Sequence, residues 1–447
     1  MSVTNKLVNF IVETTYDDLP TEVIEHAKIS ILDWIGAAVA GSLEPPSKII
    51  ASIIGEMGGI EEATVIGMGF KTSCLNAALA NGVLGHSVEL DDIHEKAIIH
   101  PAAPVVPAAL AMAERENMSG RGLIMAIVLG YEVAIRIGTA INPSHYQFWH
   151  PTGTCGTFGA AAAAGKLLNL DEKSMAHAFG IAGTEAAGLI EVFGTMSKPL
   201  NAGKAAMDGV MAALLARKGF TSSTAMIEAE RGYLHATAGE IDMGKVTDRL
   251  GTDFELMNNI FKRHASCGHT HGVLDAVLEI VGKHGVKADD VSEILVGTYP
   301  ISLSTAGEKY EPRTPTEAKF SLPYCVAAAL IYGKVGLEEF SPEKIADPKI
   351  SVLSKMVKVS VDPDYIDARL GPANVKIRTR SGKEYKSLVE TPKGYPKNPL
   401  TKKELEEKFR DLSSLVFSDE RIEDILETVN NLEHLDEVRD LGTLLCG

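Results

Sequence analysis

The densest group of side chains that could carry chemistry lies in one short segment, HSVELDDIHEKAIIHP, from His86 to Pro101. Imidazole titrates near neutral pH and a neighbouring carboxylate can orient it, so such a segment suits proton transfer. Neutral imidazole and carboxylate are also common ligands of zinc and other transition metals. A polar loop that caps the following helix would show the same composition. All three interpretations stay open for its ionisable residues, which are His86, Glu89, Asp91, Asp92, His94, Glu95 and His100.

Glycine and alanine surround a single histidine in HPTGTCGTFGAAAAAGK, residues 150–166. The segment does not match a nucleotide-binding phosphate loop, because five residues separate Gly159 from Gly165 and Leu167 follows Lys166. Its glycine-rich turn could still present backbone N–H groups to an anion. His150 is a candidate for acid–base chemistry, although a structural histidine inside the fold is the more ordinary interpretation of this segment alone.

Two further segments supply local positive charge. Lys198 lies in GTMSKPLNAGKAAMDG, residues 194–209, whereas Lys262 and Arg263 lie in FKRHASCGHTHGVLDA, residues 261–276. Such side chains can stabilise negative charge on a substrate, and a solvated surface position is the alternative for each. The second segment also alternates three possible metal ligands, but no second Cys/His pair follows at zinc spacing. Those three residues are Cys267, His269 and His271.

Hydrophobic periodicity predicts the secondary structure in which these segments lie. Residues 20–41, 104–113, 122–140, 159–168 and 203–217 show helical spacing or an Ala/Gly-rich interior composition. After about residue 290 the pattern changes: residues 291–299 and 357–361 predict strands, and residues 375–389 predict a hairpin that turns at Ser381-Gly382. A helix is expected at 321–332, and helical spacing returns from Thr401. The chain therefore reads as a mainly helical protein with a smaller α+β region.

Composition narrows the class of function. The 447 residues include 43 Lys+Arg against 59 Asp+Glu, so the formal net charge is −16. A general nucleic-acid binder needs a basic face, so we expect no nucleic-acid partner. The five cysteines form no CxxC pair, which favours reduced thiols in a cytoplasmic protein. Neither a signal peptide nor a stretch of about 18 uninterrupted apolar residues is visible, so no membrane partner is expected.

Taken together, the segments resemble the MmgE/PrpD family, which includes 2-methylcitrate dehydratases, cis-aconitate decarboxylases and an iminodisuccinate epimerase. The likeness covers HxxxxDD…HP at 86–101, HPTGTCGTFGAAAAAGKLL at 150–168 and SKPLNAGKAAMDGVMAALLARKGFTSS at 197–223. It continues through FKRHASCGHTHGVLDA at 261–276 and PTEAKFSLPYCVAAAL at 315–330. These segments follow one another in the family's order over most of the chain.

The resemblance implies a large helical domain formed by both chain ends, with a smaller α+β lid domain inserted late. We place the domains at 1–265 and 266–398, with residues 399–447 returning to the first. The resemblance also implies a homodimer, an active site in the cleft between domains, a small di- or tricarboxylate substrate and neither metal nor organic cofactor. We expect six catalytic side chains, namely Glu89, Asp92, His100, His150, Lys198 and Lys262. Four more are expected to bind substrate, namely Asp91, Arg263, His271 and Tyr324.

Three positions depart from the family pattern. Glu89 and Ile93 stand where Asp-x-Asp-Asp-Thr is usual, so a hydroxyl that could contact substrate is missing, and Lys319 stands where arginine is common. These departures concern the substrate more than the reaction class. The favoured hypothesis is a hydro-lyase that abstracts a proton beside a carboxylate and eliminates water from a 2-methylcitrate-like hydroxy acid.

Four other hypotheses compete with that one. Two keep the same scaffold: a cis-aconitate-type decarboxylase and an iminodisuccinate-type epimerase. Two belong to other classes. One is a binding protein without catalysis, and the other is a metal-dependent hydrolase whose ligands would be His86, Asp91, Asp92, His94 and His100.

Overall fold

The computed structural model describes residues 1–307, 309–368 and 371–447, and it divides into two compact units. The larger unit comprises Met1–Ile260 together with Thr401–Gly447, and the smaller unit comprises Phe261–Leu400. Both ends of the chain therefore build the larger unit. The predicted fold class, mainly α with a smaller α+β domain, is confirmed.

Helices dominate the larger unit, and one short antiparallel hairpin, β1 (Ala63–Val65) with β2 (Phe70–Thr72), lies between its third and fourth helices. Serine side chains cap several helix starts, as where Ser73 accepts the Asn76 N–H. The helices of the first part are α1 (Val3–Glu13), α2 (Thr21–Gly41), α3 (Pro45–Met57), α4 (Cys74–His86), α5 (Ala102–Arg115), α6 (Gly120–Ile141), α7 (Pro151–Leu167), α8 (Glu172–Glu185), α9 (Ser197–Arg217), α10 (Tyr233–Thr237) and α11 (Met243–Thr247).

Helices α5, α6 and α7 form the core of the larger unit. Residues 102–114 of α5 are all buried, and so is every residue of α7 except Lys166. Among the described residues, α6 is the one helix long and apolar enough to cross a membrane, and 89% of its most apolar stretch is buried inside the protein. That burial is what a central core helix shows.

Two glycines let α4 and α9 cross in close contact. A Cβ atom added to Gly82 would lie 2.6 Å from the Gly203 Cα, and one added to Gly203 would lie 2.4 Å from the Leu79 carbonyl oxygen. Both separations are too short for any larger residue, so the backbones touch because neither helix carries a side chain there. The crossing brings the end of α4 near the beginning of α9, where two predicted site segments lie.

A buried ion pair joins α6 to the segment that follows α11. Arg136 donates to the Glu132 carboxylate at 2.9 Å and to the carbonyl oxygens of Asp248 and Asp253, each at 2.6 Å. Glu132 also accepts the Leu256 N–H at 3.1 Å. Burial raises the pKa of Glu132 to about 7 despite the neighbouring guanidinium. Each charge of this buried pair therefore depends on the opposite charge of the other, and removing one residue would leave the other charge buried and uncompensated.

Not every apolar side chain of the larger unit is covered. Ile49, Ile53 and Met57 on α3 are four residues apart, so they form one stripe, and their exposed fractions are 53%, 47% and 69%. We call these three residues the α3 stripe. Leu43 and Ile60, just outside the helix, are exposed as well.

The smaller unit combines a four-stranded sheet with short helices. Its strands are β3 (Val291–Thr298), β4 (Val357–Val361), β5 (Ala373–Thr379) and β6 (Glu384–Val389), in the order β4-β3-β5-β6. β3 pairs parallel with β4 and antiparallel with β5, and β5 pairs antiparallel with β6, so the predicted strands and hairpin are confirmed. Its helices are α12 (His271–His284), α13 (Pro300–Ala306), α14 (Pro315–Lys319), α15 (Leu322–Tyr332), α16 (Pro342–Ile345) and α17 (Pro348–Ser354).

The C-terminal segment returns to the larger unit as α18 (Lys402–Ser413), α19 (Asp419–Asn430) and α20 (Val438–Leu445). Helix α18 starts in a capping box between Thr401 and Glu404. Further along it, Lys408 donates to the Asp33 carboxylate at 2.6 Å and to the Leu90 carbonyl at 2.9 Å. The C-terminal segment thereby contacts the loop that carries the histidine–carboxylate cluster.

Candidate active site

Three candidate side chains of the larger unit lie at or next to the ends of helices. His86 is the last residue of α4, His150 immediately precedes α7, and Lys198 lies in the first turn of α9. The loop between α4 and α5 carries His100. Two reciprocal hydrogen bonds, of 2.9 and 2.7 Å, pair Ile93 with Ile260 and hold that loop in place.

Three histidine rings lie together at this position. The His86 ring centroid is 4.6 Å from that of His100, in an edge contact, and 5.6 Å from that of His150, in a stacked contact. His86 and His150 are almost completely buried, whereas the His100 side chain is 14% exposed. The structure therefore brings together two predicted catalytic histidines and places His86 between them.

One carboxylate lies beside two of the rings. Asp91 Oδ2 is 2.7 Å from His86 Nδ1 and 3.3 Å from His100 Nδ1, and the Asp91 side chain is fully buried. Although burial opposes ionisation, the two imidazoles hold the pKa of Asp91 well below its usual value. Burial lowers the pKa of His100 to about 4, and burial, followed by the charges of His86 and Lys198, lowers that of His150 well below its usual value. Both of these histidines are therefore neutral at neutral pH in the ligand-free protein.

Lys198 supplies the positive charge. Its ammonium group contacts the Glu89 carboxylate and lies 5.5 Å from the centre of the Phe193 ring. The Phe193 ring makes an edge contact of 4.8 Å with His150. Glu89 has a φ of 62°, in the left-handed region that a non-glycine residue rarely adopts. A strained carboxylate beside a lysine at a histidine cluster is typical of a functional site.

Asp92 points to a different set of partners. Its carboxylate accepts the Ala102 N–H at 3.1 Å, the Tyr131 hydroxyl at 3.0 Å and the Asn259 side-chain amide at 2.7 Å. Burial, together with the neighbouring carboxylates of Asp33 and Asp91, raises the pKa of Asp92 well above its usual value. These contacts suit a residue that anchors the loop, and a direct catalytic role for Asp92 stays a prediction.

The five ligands of the hydrolase hypothesis do not converge on one point. Asp92 is turned towards Tyr131 and Asn259, and His94 Nε2 faces Glu255 at 3.4 Å. The three remaining groups, His86, Asp91 and His100, each offer a ligand atom within 4.8 Å of the others. That triad could hold an ion, so metal content must be measured directly.

The smaller unit has its own polar cluster near its first residues. Asp275 accepts from His264 Nε2 at 3.0 Å and from Arg263 at 3.3 Å, while Lys262 is almost completely buried. The His271 ring lies 5.1 Å from the His264 ring. Burial, followed by the charges of His264 and Lys262, lowers the pKa of His271 well below its usual value. Lys262, Arg263 and His271 therefore lie close together, and their predicted roles stay predictions.

Tyr324 is also in the smaller unit, on α15. It is buried, and its hydroxyl donates to the Glu339 carbonyl oxygen at 2.5 Å. Burial is the main cause that raises the pKa of this hydroxyl. In this structure the Tyr324 hydroxyl already makes a hydrogen bond within the smaller unit, so it would have to give up that bond to bind substrate.

Some residues of the larger-unit site are absent from the sequence-based candidates. Asn201, whose side-chain amide lies 3.3 Å from His150 Nδ1, is one turn from Lys198 on α9, so helical spacing could have indicated it. Phe193 and Asn259 had no such signal, because nothing in their local sequence predicts contact with residues far away in the chain.

Two family models match nearly the whole chain. The model of the MmgE/PrpD N-terminal domain matches residues 5–244, and that of the MmgE/PrpD C-terminal domain matches residues 264–434. The match to the first includes the segments with His86, His100, His150 and Lys198, and the match to the second begins at His264.

Sequence identity to individual proteins agrees with the match to the family models. The chain is 30% identical to a cis-aconitate decarboxylase-like protein, oryM, of Aspergillus oryzae, over 100% of this chain and 98% of that protein. It is 29% identical to a cis-aconitate decarboxylase of Aspergillus terreus, over 99% of this chain and 96% of that protein. A 2-methylcitrate dehydratase-like protein, oryR, of Aspergillus oryzae is 26% identical over 40% of this chain and 39% of that protein. The chain belongs to the MmgE/PrpD family of enzymes.

Proposed function

We propose that this enzyme is a lyase that decarboxylates cis-aconitate or a closely similar unsaturated tricarboxylate. The observation that carries the proposal is the cluster of His100, His150 and Lys198, in which neutral buried histidines lie beside a lysine. Similarity supports this reaction over the dehydration favoured from the sequence, because the relatives named for decarboxylation match over the full length and the dehydratase-like one over 40% of the chain.

The reaction makes defined demands on the site. In cis-aconitate the bond between the methylene carbon and its carboxylate breaks and CO2 leaves. The electron pair moves through the double bond to the carbon beside another carboxylate, and that carbon then takes up one proton. Negative charge therefore grows on a group that is already anionic, and a preorganised cation lowers the barrier. The product is an unsaturated dicarboxylate with a terminal methylene group.

The residues of the larger unit can meet these demands. Lys198 is placed to attract a carboxylate and to stabilise the developing charge. Burial keeps His100 neutral in the ligand-free enzyme, but a bound polyanion favours the protonated form of a nearby imidazole. The substrate itself would thus draw a proton onto His100 or His150, and that histidine would deliver it to carbon. We expect Asp91 to orient His100, since its buried carboxylate lies 3.3 Å from His100 Nδ1.

Dehydration of a 2-methylcitrate-like hydroxy acid is the second candidate. The partial match to a 2-methylcitrate dehydratase-like protein supports it, and the same histidines could act as base and acid. The two reactions differ in their proton balance. Decarboxylation takes up one proton at carbon, whereas dehydration removes a proton from carbon and gives one to the leaving hydroxyl.

One experiment separates these reactions. The purified enzyme is incubated in D2O with cis-aconitate, a 2-methylcitrate-like acid and an imino- or aminodicarboxylate, and the products are followed by NMR. The proposal predicts CO2 release from cis-aconitate with one deuterium on the carbon beside the product carboxylate. Loss of water from the hydroxy acid without decarboxylation of cis-aconitate would contradict the proposal. Exchange of a C–H hydrogen for deuterium in the imino- or aminodicarboxylate, with inversion at that carbon and no other change, would indicate an epimerase.

Metal analysis completes the test. We expect full activity after exhaustive chelation and less than stoichiometric metal in the active protein. A tightly bound metal equivalent whose removal abolishes turnover would instead support metal-dependent chemistry at His86, Asp91 and His100.

A further inference from the structure

We propose that Phe193 is a positioning residue that holds the Lys198 ammonium group through the face of its aromatic ring, and this proposal rests on the role proposed above for Lys198. Lys198 Nζ lies over the Phe193 ring, 5.5 Å from its centre. An ammonium group within about 6 Å of an aromatic ring centre is attracted by the negative ring face. The Lys198 side chain is only 12% exposed, so water screens this attraction weakly.

The Phe193 ring is itself held in place by its surroundings. The Phe193 N–H donates to the Ile190 carbonyl oxygen at 2.9 Å, and the Ile190 N–H donates to the Phe148 carbonyl oxygen at 3.1 Å. The ring also makes its edge contact of 4.8 Å with the His150 ring. Phe193 therefore connects the segment that carries His150 with the beginning of α9, which carries Lys198.

Glu89 cannot hold Lys198 in the same way once substrate binds. The Glu89 carboxylate contacts the ammonium group in the ligand-free protein. A substrate carboxylate that approaches Lys198 brings a second negative charge and competes with Glu89 for the N–H donors of that group. An aromatic ring attracts the ammonium group through its face and carries no net charge, so it leaves those donors to the carboxylates. We therefore expect the ring to keep its contact with Lys198 while one carboxylate replaces the other.

This role differs from simple space filling in a way that can be measured. Replacing ring hydrogens with fluorine changes the volume of phenylalanine little but withdraws electron density from the ring face. The attraction of the ammonium group should therefore weaken with each added fluorine. A side chain that only fills space would not respond to such a series.

The test places phenylalanine and its mono-, di- and trifluorinated forms at position 193 and measures kcat/KM for cis-aconitate. We expect a progressive fall that reaches roughly 3- to 30-fold, and a similar fall in Phe193→Leu. The same series at Phe148, whose side chain is 66% exposed and lies in the segment paired with Phe193, is the matched control and should be flat.

A second background separates the two contacts of the ring. The edge contact with His150 also depends on the charge distribution of the ring, so the series at position 193 is repeated in Lys198→Met. There the dependence on fluorine should vanish. A flat series in the enzyme that keeps Lys198 would overturn the proposal, and so would a dependence that persists in Lys198→Met.

A further measurement needs no turnover. In protein labelled with ¹³C-lysine, NMR relaxation of the Lys198 ε-methylene group reports how firmly the end of the side chain is held, with assignment from Lys198→Met. We expect this group to be less ordered in Phe193→Leu and unchanged in Phe148→Leu. Equal order in the two variants would overturn the proposal. Absence of cis-aconitate turnover by the unmodified enzyme would instead contradict the proposed function and leave this NMR result intact.

Discussion

Replacing Lys198 with methionine removes one positive charge from the histidine cluster at nearly constant side-chain volume. A preorganised donor aimed at charge that develops in the transition state is worth about 2.7–4 kcal/mol. Since 1.36 kcal/mol corresponds to a factor of ten in rate, Lys198→Met should lower kcat/KM for the proposed substrate by roughly 10²–10³-fold. The side chains of Lys198 and Glu89 are 12% and 21% exposed, so replacing Lys198 removes a mostly buried ion pair and the free energy of unfolding should fall by about 1–3 kcal/mol.

A second replacement separates the two effects. In Lys198→Met/Glu89→Gln the negative charge that Lys198 had balanced is removed as well, so the free energy of unfolding should partly recover while turnover does not. Lys204→Met is the matched control, because Lys204 is also on α9 and pairs with Asp208. Steady-state kinetics and urea denaturation measure both quantities. If the double variant regains activity to within a few-fold of the unmodified enzyme, Lys198 merely neutralises Glu89 and the assignment is refuted.

Three further outcomes are expected. If the predicted catalytic residue Lys262 also holds a substrate carboxylate, Lys262→Met should raise KM for the tricarboxylate by at least tenfold while circular dichroism stays unchanged, since a charge-assisted contact is worth about 1.5–3 kcal/mol; an unaltered KM would contradict such a contact. Because the pKa of free His100 is about 4, kcat/KM for a fully ionised substrate should rise as the pH falls from 9 to 7 if protonated His100 is the acid, whereas a flat profile would favour His100 as a base. Arg136→Met leaves the buried Glu132 without its counter-charge, so the free energy of unfolding measured by chemical denaturation should fall by about 3–5 kcal/mol. Adding Glu132→Gln should restore part of that free energy.

The segments that carry the chemistry could be found from sequence because their residue types are informative by themselves. A run such as HSVELDD places several ionisable groups close together in the chain, and family resemblance then gave six catalytic candidates, among them His100, His150 and Lys198. The fold class followed from periodicity, since a helix and a strand bury side chains at different intervals. The hairpin around Ser381-Gly382 was predictable for a local reason, because Gly382 with a φ of 84° adopts a conformation that favours glycine.

The roles of the carboxylates could not be assigned in this way. Asp91 and Asp92 are adjacent in sequence, and composition gives no reason to separate them. In the fold Asp91 lies beside two histidines and Asp92 faces Tyr131 and Asn259, since neighbouring residues in a loop point in different directions. Their pKa values consequently move in opposite directions. The tertiary structure alone decides which of the two can orient a proton-transferring group.

The sequence by itself determined the protein family, the helical class and the list of ionisable groups, because these depend on residue identity and local spacing. Only the tertiary structure decided which groups meet, that His86 is the middle ring of three, and that Lys198 lies against Glu89. Those contacts join residues far apart in the chain through the crossing of α4 and α9. Distance, burial and charge at such a crossing are properties of packed helices, and no single segment encodes them.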